Sequence, residues 1–376
     1  MVSRWTTKCW LRLLIVAFII GLTASCGGGR ESSQSGVVLG AVFPLTGPGA
    51  LWGQNSKRGV DLAVGQLQKE GRRVTVVYED SKADPKTGVA AAHKLIDINH
   101  VQALIDDAAS SVALAVVPIA TQARLPMLST GSTNPRLSGS SPFFLRLWNS
   151  DAEEAAVSAK FIASTLGLKR GAVLYIQNEY GEGLKDAFSA AFSKLGGSVV
   201  GAVPFPQDAA DFKNEVTKTY GMKPDFVYLV AYPNNFATIL PQVNRARGEH
   251  PVIGTAALND PEVLKQAGSQ ANNVYFPYAR PPRDTAVRRA FLSAYKKAYN
   301  QSPGSPAAEG YDAAKLLVEA ISAAAPDGSK VVEYLRSRSF DGASGTIRFD
   351  ANGDVHKPMG MYVVADGKAK VVPATQ

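Results

Sequence analysis

The sequence predicts an α/β fold with two doubly wound parallel-sheet lobes joined by three hinge crossings. Short apolar runs alternate with amphipathic helical patterns along most of the chain, an order typical of βαβ units in a parallel sheet. The alternation occurs as two series on either side of residues 148–150, although no literal repeat is visible. Loop-like stretches at 279–284, which is rich in proline, and at 340–345 mark two further crossings. We therefore expect two copies of one architecture.

Four apolar runs in the first series predict buried strands at residues 37–43, 74–79, 103–105 and 127–129. Helical patterns lie between and after them, at 54–70, 85–98 and 112–123. The resulting βαβαβα order predicts a parallel sheet with helices on both faces.

The second series repeats this alternation and is followed by a different tail. Helical patterns occupy 152–166, 183–195, 212–220 and 236–247, and apolar runs occupy 172–176, 198–203, 226–230, 252–253 and 274–278. Two helical patterns, 285–299 and 306–324, then follow each other without a strand between them. Such a pair cannot form its own sheet, so we expect it to pack on the first lobe. Two last strands, 346–349 and 361–364, are expected to join the second lobe.

These assignments place residues 37–149 and 280–342 in the first lobe and residues 150–279 and 343–376 in the second. Clefts between lobes are where small ligands bind, and hinges at the crossings allow such a cleft to close.

Two hydroxyl-rich loops follow neighbouring strands of the first lobe. Ser110 and Ser111 come after the third strand and open a helical pattern, and Gly131, Ser132 and Thr133 come after the fourth. Hydroxyls and backbone N–H groups at the carboxyl end of a strand, next to a helix N-terminus, favour a bound anion. The first serine could instead be a helix N-cap, a role compatible with ligand contact. Neither loop offers a catalytic base or a metal ligand, which indicates binding rather than conversion of a molecule.

The first 25 residues are typical of a signal peptide. Arg4, Lys8 and Arg12 form a basic segment before the apolar run 13–22, which is too short to span a bilayer. Small residues then precede Cys26, a pattern that resembles the lipobox of bacterial lipoproteins, although the leucine stands four residues before the cysteine rather than three. We expect lipidation at Cys26 and a flexible tether over 26–36. The alternative is an ordinary secreted protein in which this cysteine is incidental.

Cysteine content, charge and histidine spacing exclude several classes of function. Cys9 and Cys26 are the two cysteines of the chain, so the folded body can hold no internal disulfide, thiolate metal cluster or catalytic cysteine. The net charge is +8, but no basic run or motif indicates nucleic-acid binding. The four histidines are scattered without metal-ligand spacing. We expect no metal and no cofactor.

Several short motifs occur in a fixed order over almost the whole chain. They are 43–48 (FPLTGP), 52–53 (WG), 79–80 (ED) with 84–85 (DP), 110–111 (SS), 126–129 (PMLS) with 133–135 (TNP), 180–183 (YGEG) and 345–349 (GTIRF). In this order the chain resembles type I periplasmic binding proteins of the leucine/isoleucine/valine-binding group, the receptors of ABC importers. The resemblance runs from Val38 to about Val364.

The resemblance implies a role for each residue of the cleft. A serine at the position of Ser110 binds the ligand's carboxylate, together with groups matching Gly131 and Thr133. Aromatic side chains matching Trp52 and Tyr180 line the pocket.

In the same group, a tyrosine matching Tyr232 and an acid shortly after the strand at 252–253 receive the ligand's ammonium group. The aligned position of that acid is Ala256, which is the main departure from the pattern. A buried ammonium group without a carboxylate is costly. An amino-acid ligand would thus need another acid, for which Asp260 and Glu179 are the nearest candidates. Otherwise the ligand is an aromatic or aliphatic acid, or an amide.

The expected function is a monomeric, non-enzymatic receptor of the cell envelope. It would be held to a membrane by its lipid anchor, face the periplasm, close on a small carboxylate or amide ligand and deliver it to an ABC permease. A sensor that reports the ligand to a separate partner is one alternative. A hydrolase using Ser110 or Ser132 is another, but no histidine is placed beside either serine in the sequence.

Overall fold

Two β-sheets with related strand orders organise the chain. The computed structural model describes residues 36–106, 108–324 and 327–373. The expected leader, the lipidated cysteine and nearly all of the tether lie outside the described residues. The strand orders are β2-β1-β3-β4-β5 in the first sheet and β14-β13-β10-β9-β8-β6-β7 in the second, and a third sheet pairs β11 with β12.

The first sheet contains five strands. They are β1 (Val37–Phe43), β2 (Val74–Asp80), β3 (Ala103–Asp106), β4 (Met127–Ser129) and β5 (Phe144–Arg146). All pairings are parallel. Burial by helices on both faces accounts for the continuous apolar runs. The fifth strand was not predicted, because three residues ending in an arginine do not resemble a buried strand.

The second sheet is mixed. The remaining strands are β6 (Arg170–Ile176), β7 (Ser198–Phe205), β8 (Phe226–Val230), β9 (Val252–Ile253), β10 (Val274–Ala279), β11 (Phe340–Gly342), β12 (Gly345–Ile347), β13 (Met359–Ala365) and β14 (Lys368–Val371). Strands β6 to β10 are parallel and repeat the order of the first sheet, as two copies of one architecture require. Strand β13 pairs antiparallel with β10, and β14 pairs antiparallel with β13, so the otherwise parallel second sheet ends in an antiparallel hairpin. Asp366 and Gly367, both with positive φ, form the tight hairpin that joins them.

Eleven α-helices lie among the described residues. They are α1 (Ala50–Lys69), α2 (Pro85–His93), α3 (Ser110–Gln122), α4 (Asp151–Lys160), α5 (Glu179–Lys194), α6 (Lys213–Gly221), α7 (Pro233–Ala246), α8 (Pro261–Ala267), α9 (Ala286–Tyr299), α10 (Ala307–Ala324) and α11 (Gly328–Arg336). Helices α2 and α4 continue as π-helical turns, Lys94–Ile98 and Phe161–Thr165. None of the helices in the described part of the chain is long and apolar enough to cross a membrane.

The C-terminal helix pair packs on the first sheet, as expected. Leu317 of α10 and Phe291 of α9 share one buried core with Leu39 of β1 and Ile105 of β3. The helices bury an apolar face that has no sheet of its own, and this burial fixes their place.

The strand predicted at 346–349 does not join the second sheet. Residues 345–347 pair with β11 in a small hairpin, and Ile347, Phe349 and Val355 lie in the core of the first sheet. Asp312 anchors the hairpin by accepting hydrogen bonds from the backbone N–H groups of Ala343 and Ser344, both at 2.8 Å. The predicted lobe boundary at residue 342 is therefore misplaced, because the chain stays with the first sheet beyond Val355 and re-enters the second at β13.

Candidate functional site

A cavity lies where loops at the carboxyl ends of the two sheets face each other. It takes its walls from both halves of the molecule. In open α/β sheets, ligands bind at this end of the strands, beside the point where the strand order reverses. The lining residues are Trp52, Ala108, Thr130, Gly131, Thr133, Trp148, Glu154, Tyr180, Ala256, Ala257, Tyr278, Ser305 and Pro306.

Five of the nine residues predicted to bind ligand line this cavity: Trp52, Gly131, Thr133, Tyr180 and Ala256. The other four, Ser110, Ser111, Ser132 and Tyr232, are buried behind or beside the lining. Their direct contact with a ligand stays a prediction.

Ser110 connects the two hydroxyl-rich loops. Its Oγ accepts hydrogen bonds from the backbone N–H groups of Thr133 at 3.1 Å and Asn134 at 3.2 Å. It is the first residue of α3, whose N-terminus has no side-chain cap. The dipole of this helix favours a negative charge near its N-terminus.

Ser111 and Ser132 make different hydrogen bonds and connect different elements. Ser132 Oγ donates to Asp106 Oδ2 at 2.8 Å, which attaches the second loop to the end of β3. Ser111 Oγ accepts from the backbone N–H of Glu179 at 3.2 Å, which links α3 to α5 across the cleft. The sequence gives no reason to assign these serines different roles, because only their tertiary contacts distinguish them.

Aromatic rings form one wall of the cavity. The centroid of Trp52 lies 6.2 Å from that of Tyr180 and 4.9 Å from that of Tyr232, with edge-on geometry in both pairs. The two tyrosines stack on each other at 5.7 Å. Because Trp52 belongs to α1 and the tyrosines to the second half, the wall crosses the cleft. Tyr180 lies in the first turn of α5. The helix predicted from the sequence began at residue 183, which had left Tyr180 on the preceding loop.

Trp148 and Tyr278 also line the cavity, and the sequence did not single them out. Their ring centroids are 5.2 Å apart. Trp148 lies at the first crossing between the halves, and Tyr278 lies near the end of β10, just before the crossing at 279–284. At such positions the sequence pattern predicts hinge residues and not residues that line a ligand cavity.

The expected acid is absent at Ala256, but another acid lies beside it. The backbone N–H of Ala256 donates to Glu154 Oε1 at 3.2 Å. Glu154 lines the cavity and is only 4% exposed. Burial, and then the nearby charge of Asp151, raise the pKa of Glu154 well above its ordinary value.

Neither acid proposed from the sequence lines the cavity. Asp260 caps α8 and accepts hydrogen bonds from Asn55 Nδ2 at 3.0 Å and from the Ser305 N–H at 3.1 Å. Glu179 pairs with Arg136 at 2.7 Å on the surface.

Helical spacing was the signal that could have identified Glu154. Asp151, Glu154 and Ser158 lie on one face of α4 with the buried alanines Ala155 and Ala159. In the structure Glu153 faces outward and pairs with His356.

Comparison with known proteins agrees with this architecture. Residues 36–369 match the model of the periplasmic binding protein family. The chain belongs to this family. Membership implies an extracytoplasmic location, and it agrees with the resemblance to leucine/isoleucine/valine-binding receptors.

Relatives of this periplasmic binding protein match over nearly their full length. Leu/Ile/Val-binding protein homolog 3 of Brucella melitensis is 26% identical over 351 residues, which are 91% of this chain and 95% of the relative. The crystal structure of the leucine binding protein LivK of Thermotoga maritima is 29% identical with a TM-score of 0.82, covering 90% of this chain and 98% of that one. A solute binding protein of R. palustris in complex with benzoate shares the fold, at 21% identity and a TM-score of 0.82 over 90% and 96% of the two chains.

Proposed function

We propose that this periplasmic binding protein is the receptor of an ABC importer that closes its cleft on a small carboxylate, with a branched-chain amino acid as the first candidate, and delivers it to a membrane permease. The observation that supports the proposal most strongly is the cavity between the two sheets. Its walls combine hydroxyl and backbone groups suited to an anion, an aromatic surface and the buried acid Glu154.

The carboxylate end of the ligand is assigned to the loops after β3 and β4. Gly131 and Thr133 line the cavity there, and Ser110 lies directly behind them. The uncapped N-terminus of α3 adds a favourable dipole for a negative charge. Trp52 and Tyr180 supply the apolar contact that a branched side chain needs.

Closure of the cleft is supported by polar contacts between the two halves. Asn55 of α1 donates to Asp260 of α8, and Ser111 of α3 accepts from the N–H of Glu179 in α5. Contacts of this kind form only when the halves approach each other, so they are suited to hold a ligand-bound state.

A carboxylate without an ammonium group is the alternative ligand. The benzoate-binding relative shows that this fold also accepts an aromatic acid. Membrane anchoring through Cys26, and a role in sensing rather than import, are further proposals that rest on the sequence and the family.

The proposal is tested with the purified protein and a thermal-shift panel. The panel contains leucine, isoleucine, valine, phenylalanine, their deaminated acids, benzoate and two amides. A ligand that binds only the folded state raises its stability by about 2.7 kcal/mol at 100 times Kd. We expect saturable stabilisation by at least one carboxylate and recovery of the ligand unchanged. Chemical conversion of the ligand, or no stabilisation by any member of the panel, would contradict the proposed function.

A further inference from the structure

We propose that Glu154 binds the ammonium group of the ligand in place of the acid absent at Ala256, so that the protein selects α-amino acids over their deaminated counterparts. The inference rests on the proposed function, because it names the ligand class of the same cleft. Its evidence is the placement of this carboxyl group and, within the part of the chain that the structure describes, the lack of a cation beside it.

The carboxyl group of Glu154 is buried at the cavity wall, where it accepts a hydrogen bond from one donor. Ala256 N–H reaches Oε1, and no ion pair or other hydrogen bond to this side chain occurs among the described residues. A buried carboxylate with so few partners is costly in free energy, so such groups are enriched at functional sites.

Three other buried acids of the described chain differ from Glu154 in this respect, whereas Asp151 also lacks hydrogen-bond partners for its carboxyl oxygens but does not line the cavity. Asp354 pairs with Arg146, and Glu309 pairs with Lys357 at 2.6 Å. Asp312 accepts two backbone N–H groups. These acids are satisfied by the fold itself, whereas Glu154 still has capacity for a donor that enters the cavity.

Among the described residues, the groups around Glu154 supply no positive charge on the cavity side. Asp151 lies one turn earlier on α4, with Thr133 and Arg146 facing it. Arg146 is already engaged by Asp354 through Nε at 2.7 Å and Nη2 at 3.0 Å. Tyr180 of α5 and Tyr228 of β8 are the other titratable groups near Glu154. A ligand ammonium group would therefore be the first cation to meet this carboxyl group.

An alanine at position 256 is consistent with Glu154 taking the role of the acid expected there. Its small side chain leaves space in the cavity, and its N–H orients the carboxyl group of Glu154. An acid at both positions would place two like charges in a buried site, which is unfavourable.

Binding should release a proton. Burial raises the pKa of Glu154 well above its ordinary value, so in the empty cavity its carboxyl group keeps its proton to a higher pH than an exposed glutamate does. When an ammonium group enters, the O–H bond of the carboxyl group breaks, the carboxylate pairs with the ligand cation, and the proton passes to the buffer. A deaminated ligand carries no such cation, so it binds without releasing this proton.

Isothermal titration calorimetry tests the proposal with leucine and 4-methylpentanoate, and with phenylalanine and 3-phenylpropanoate. Each titration is run in two buffers of different protonation enthalpy. We expect the unmodified protein to bind one amino acid about 100-fold more tightly than its deaminated partner, because a buried charge pair would otherwise be left incomplete. That binding should release protons to the buffer, and binding of the deaminated partner should release fewer.

Three variants make the test specific. Glu154→Gln should weaken amino-acid binding about 100-fold, abolish proton release and leave binding of the deaminated acid within about threefold. Adding Ala256→Glu to this variant should restore part of the amino-acid affinity. Glu153→Gln, on the neighbouring outward-facing residue, is the matched control and should behave like the unmodified protein. Circular dichroism confirms that each variant is folded.

The outcomes separate this inference from the proposed function. If the unmodified protein binds a deaminated acid but neither amino acid, the receptor function stands and the role of Glu154 is wrong. If Glu154→Gln lowers the affinity for the amino acid and for its deaminated partner equally, Glu154 has a structural role and the inference is overturned. If no carboxylate of the panel binds at all, both proposals fail.

Discussion

Arg146 and Asp354 form a buried bidentate ion pair between residues 208 positions apart in the chain. The guanidinium is fully buried, and its Nη1 also donates to the carbonyl oxygen of Asn134 at 3.2 Å. The pair therefore attaches the segment after the last helix to the loop that carries Gly131 and Thr133. One buried interaction thus supports both the fold and the proposed carboxylate site.

Breaking this pair should destabilise the protein strongly. We expect Asp354→Asn or Arg146→Met to lower the free energy of unfolding by about 3–5 kcal/mol, because each leaves an uncompensated buried group. Chemical denaturation monitored by tryptophan fluorescence measures the loss. The control is Lys57→Met, which removes an exposed ion pair with Asp61 and should cost less than about 1 kcal/mol. A loss of similar size in the control would refute the argument from burial.

Removing the hydroxyl of Thr133 should weaken ligand binding. We expect Thr133→Ala to reduce affinity for the best carboxylate of the panel about tenfold, the effect of one or two lost hydrogen bonds. Affinity for the corresponding amide should change less, since the amide bears no negative charge. Thr238→Ala, on a hydroxyl that bonds only within α7, is the control for general effects of the substitution. Unchanged affinity in Thr133→Ala would show that the carboxylate loop is wrongly assigned.

Ser111 should influence how long the cleft stays closed. Its hydroxyl oxygen accepts the N–H of Glu179 from the other half of the molecule. We expect Ser111→Ala to speed ligand dissociation about threefold to tenfold, while the melting temperature of the ligand-free protein changes little. Stopped-flow fluorescence measures the dissociation rate. Ser189→Ala, which removes a hydrogen bond internal to α5, provides the comparison. A slower or unaltered rate in Ser111→Ala would argue against a closing contact at this position.

His356 should add stability that depends on pH. Partial burial lowers its pKa, but hydrogen bonds with Asp350 at 3.1 Å and Glu153 at 2.6 Å outweigh this and raise the pKa above its ordinary value. The stabilisation is therefore fully present below the ordinary pKa of histidine and is lost as the pH rises through the raised value. We expect His356→Gln to lower the melting temperature more at about pH 6 than at about pH 9. His93→Gln, on an exposed pair within one helix, is the control. An equal effect of His356→Gln at both pH values would contradict the assignment.

Lipidation at Cys26 predicts that the protein associates with membranes. In a bacterial host that processes lipoproteins, we expect the unmodified chain to enter the detergent phase on Triton X-114 extraction. Cys26→Ser should move it to the aqueous phase, because a protein without acyl chains has no anchor. Cys9→Ser, inside the expected leader, is the matched control and should leave the partition unchanged. If Cys26→Ser also stays in the detergent phase, the anchor lies elsewhere.

Much of the fold followed from local patterns in the sequence. Strands such as Val37–Phe43 and Phe226–Val230 were predicted at their observed positions, because burial on both faces demands an unbroken apolar run. Helix ends were less accurate. Helices α1 and α5 begin four residues earlier than predicted, since their first turns contain glycine and polar residues that weaken the periodic signal.

Short elements at the end of the chain depended on long-range contacts. Strands β11 and β14 and helix α11 were not predicted, and the strand predicted at 346–349 was assigned to the second sheet instead of the small hairpin with β11. Three or four residues of strand carry too little pattern to identify a partner. Asp312 and the core around Ile347 decide where the hairpin lies.

By itself, the sequence determined the two-sheet architecture, the position of both hydroxyl-rich loops and the absence of the expected acid at Ala256. Each of these is a property of residue type and local order. Only the tertiary structure decided which partner each serine contacts. It also placed Glu154 beside Ala256, although 102 positions separate the two residues. The physical reason is that the start of α4 and the end of β9 meet only when this helix packs against the second sheet, and no local pattern encodes that contact.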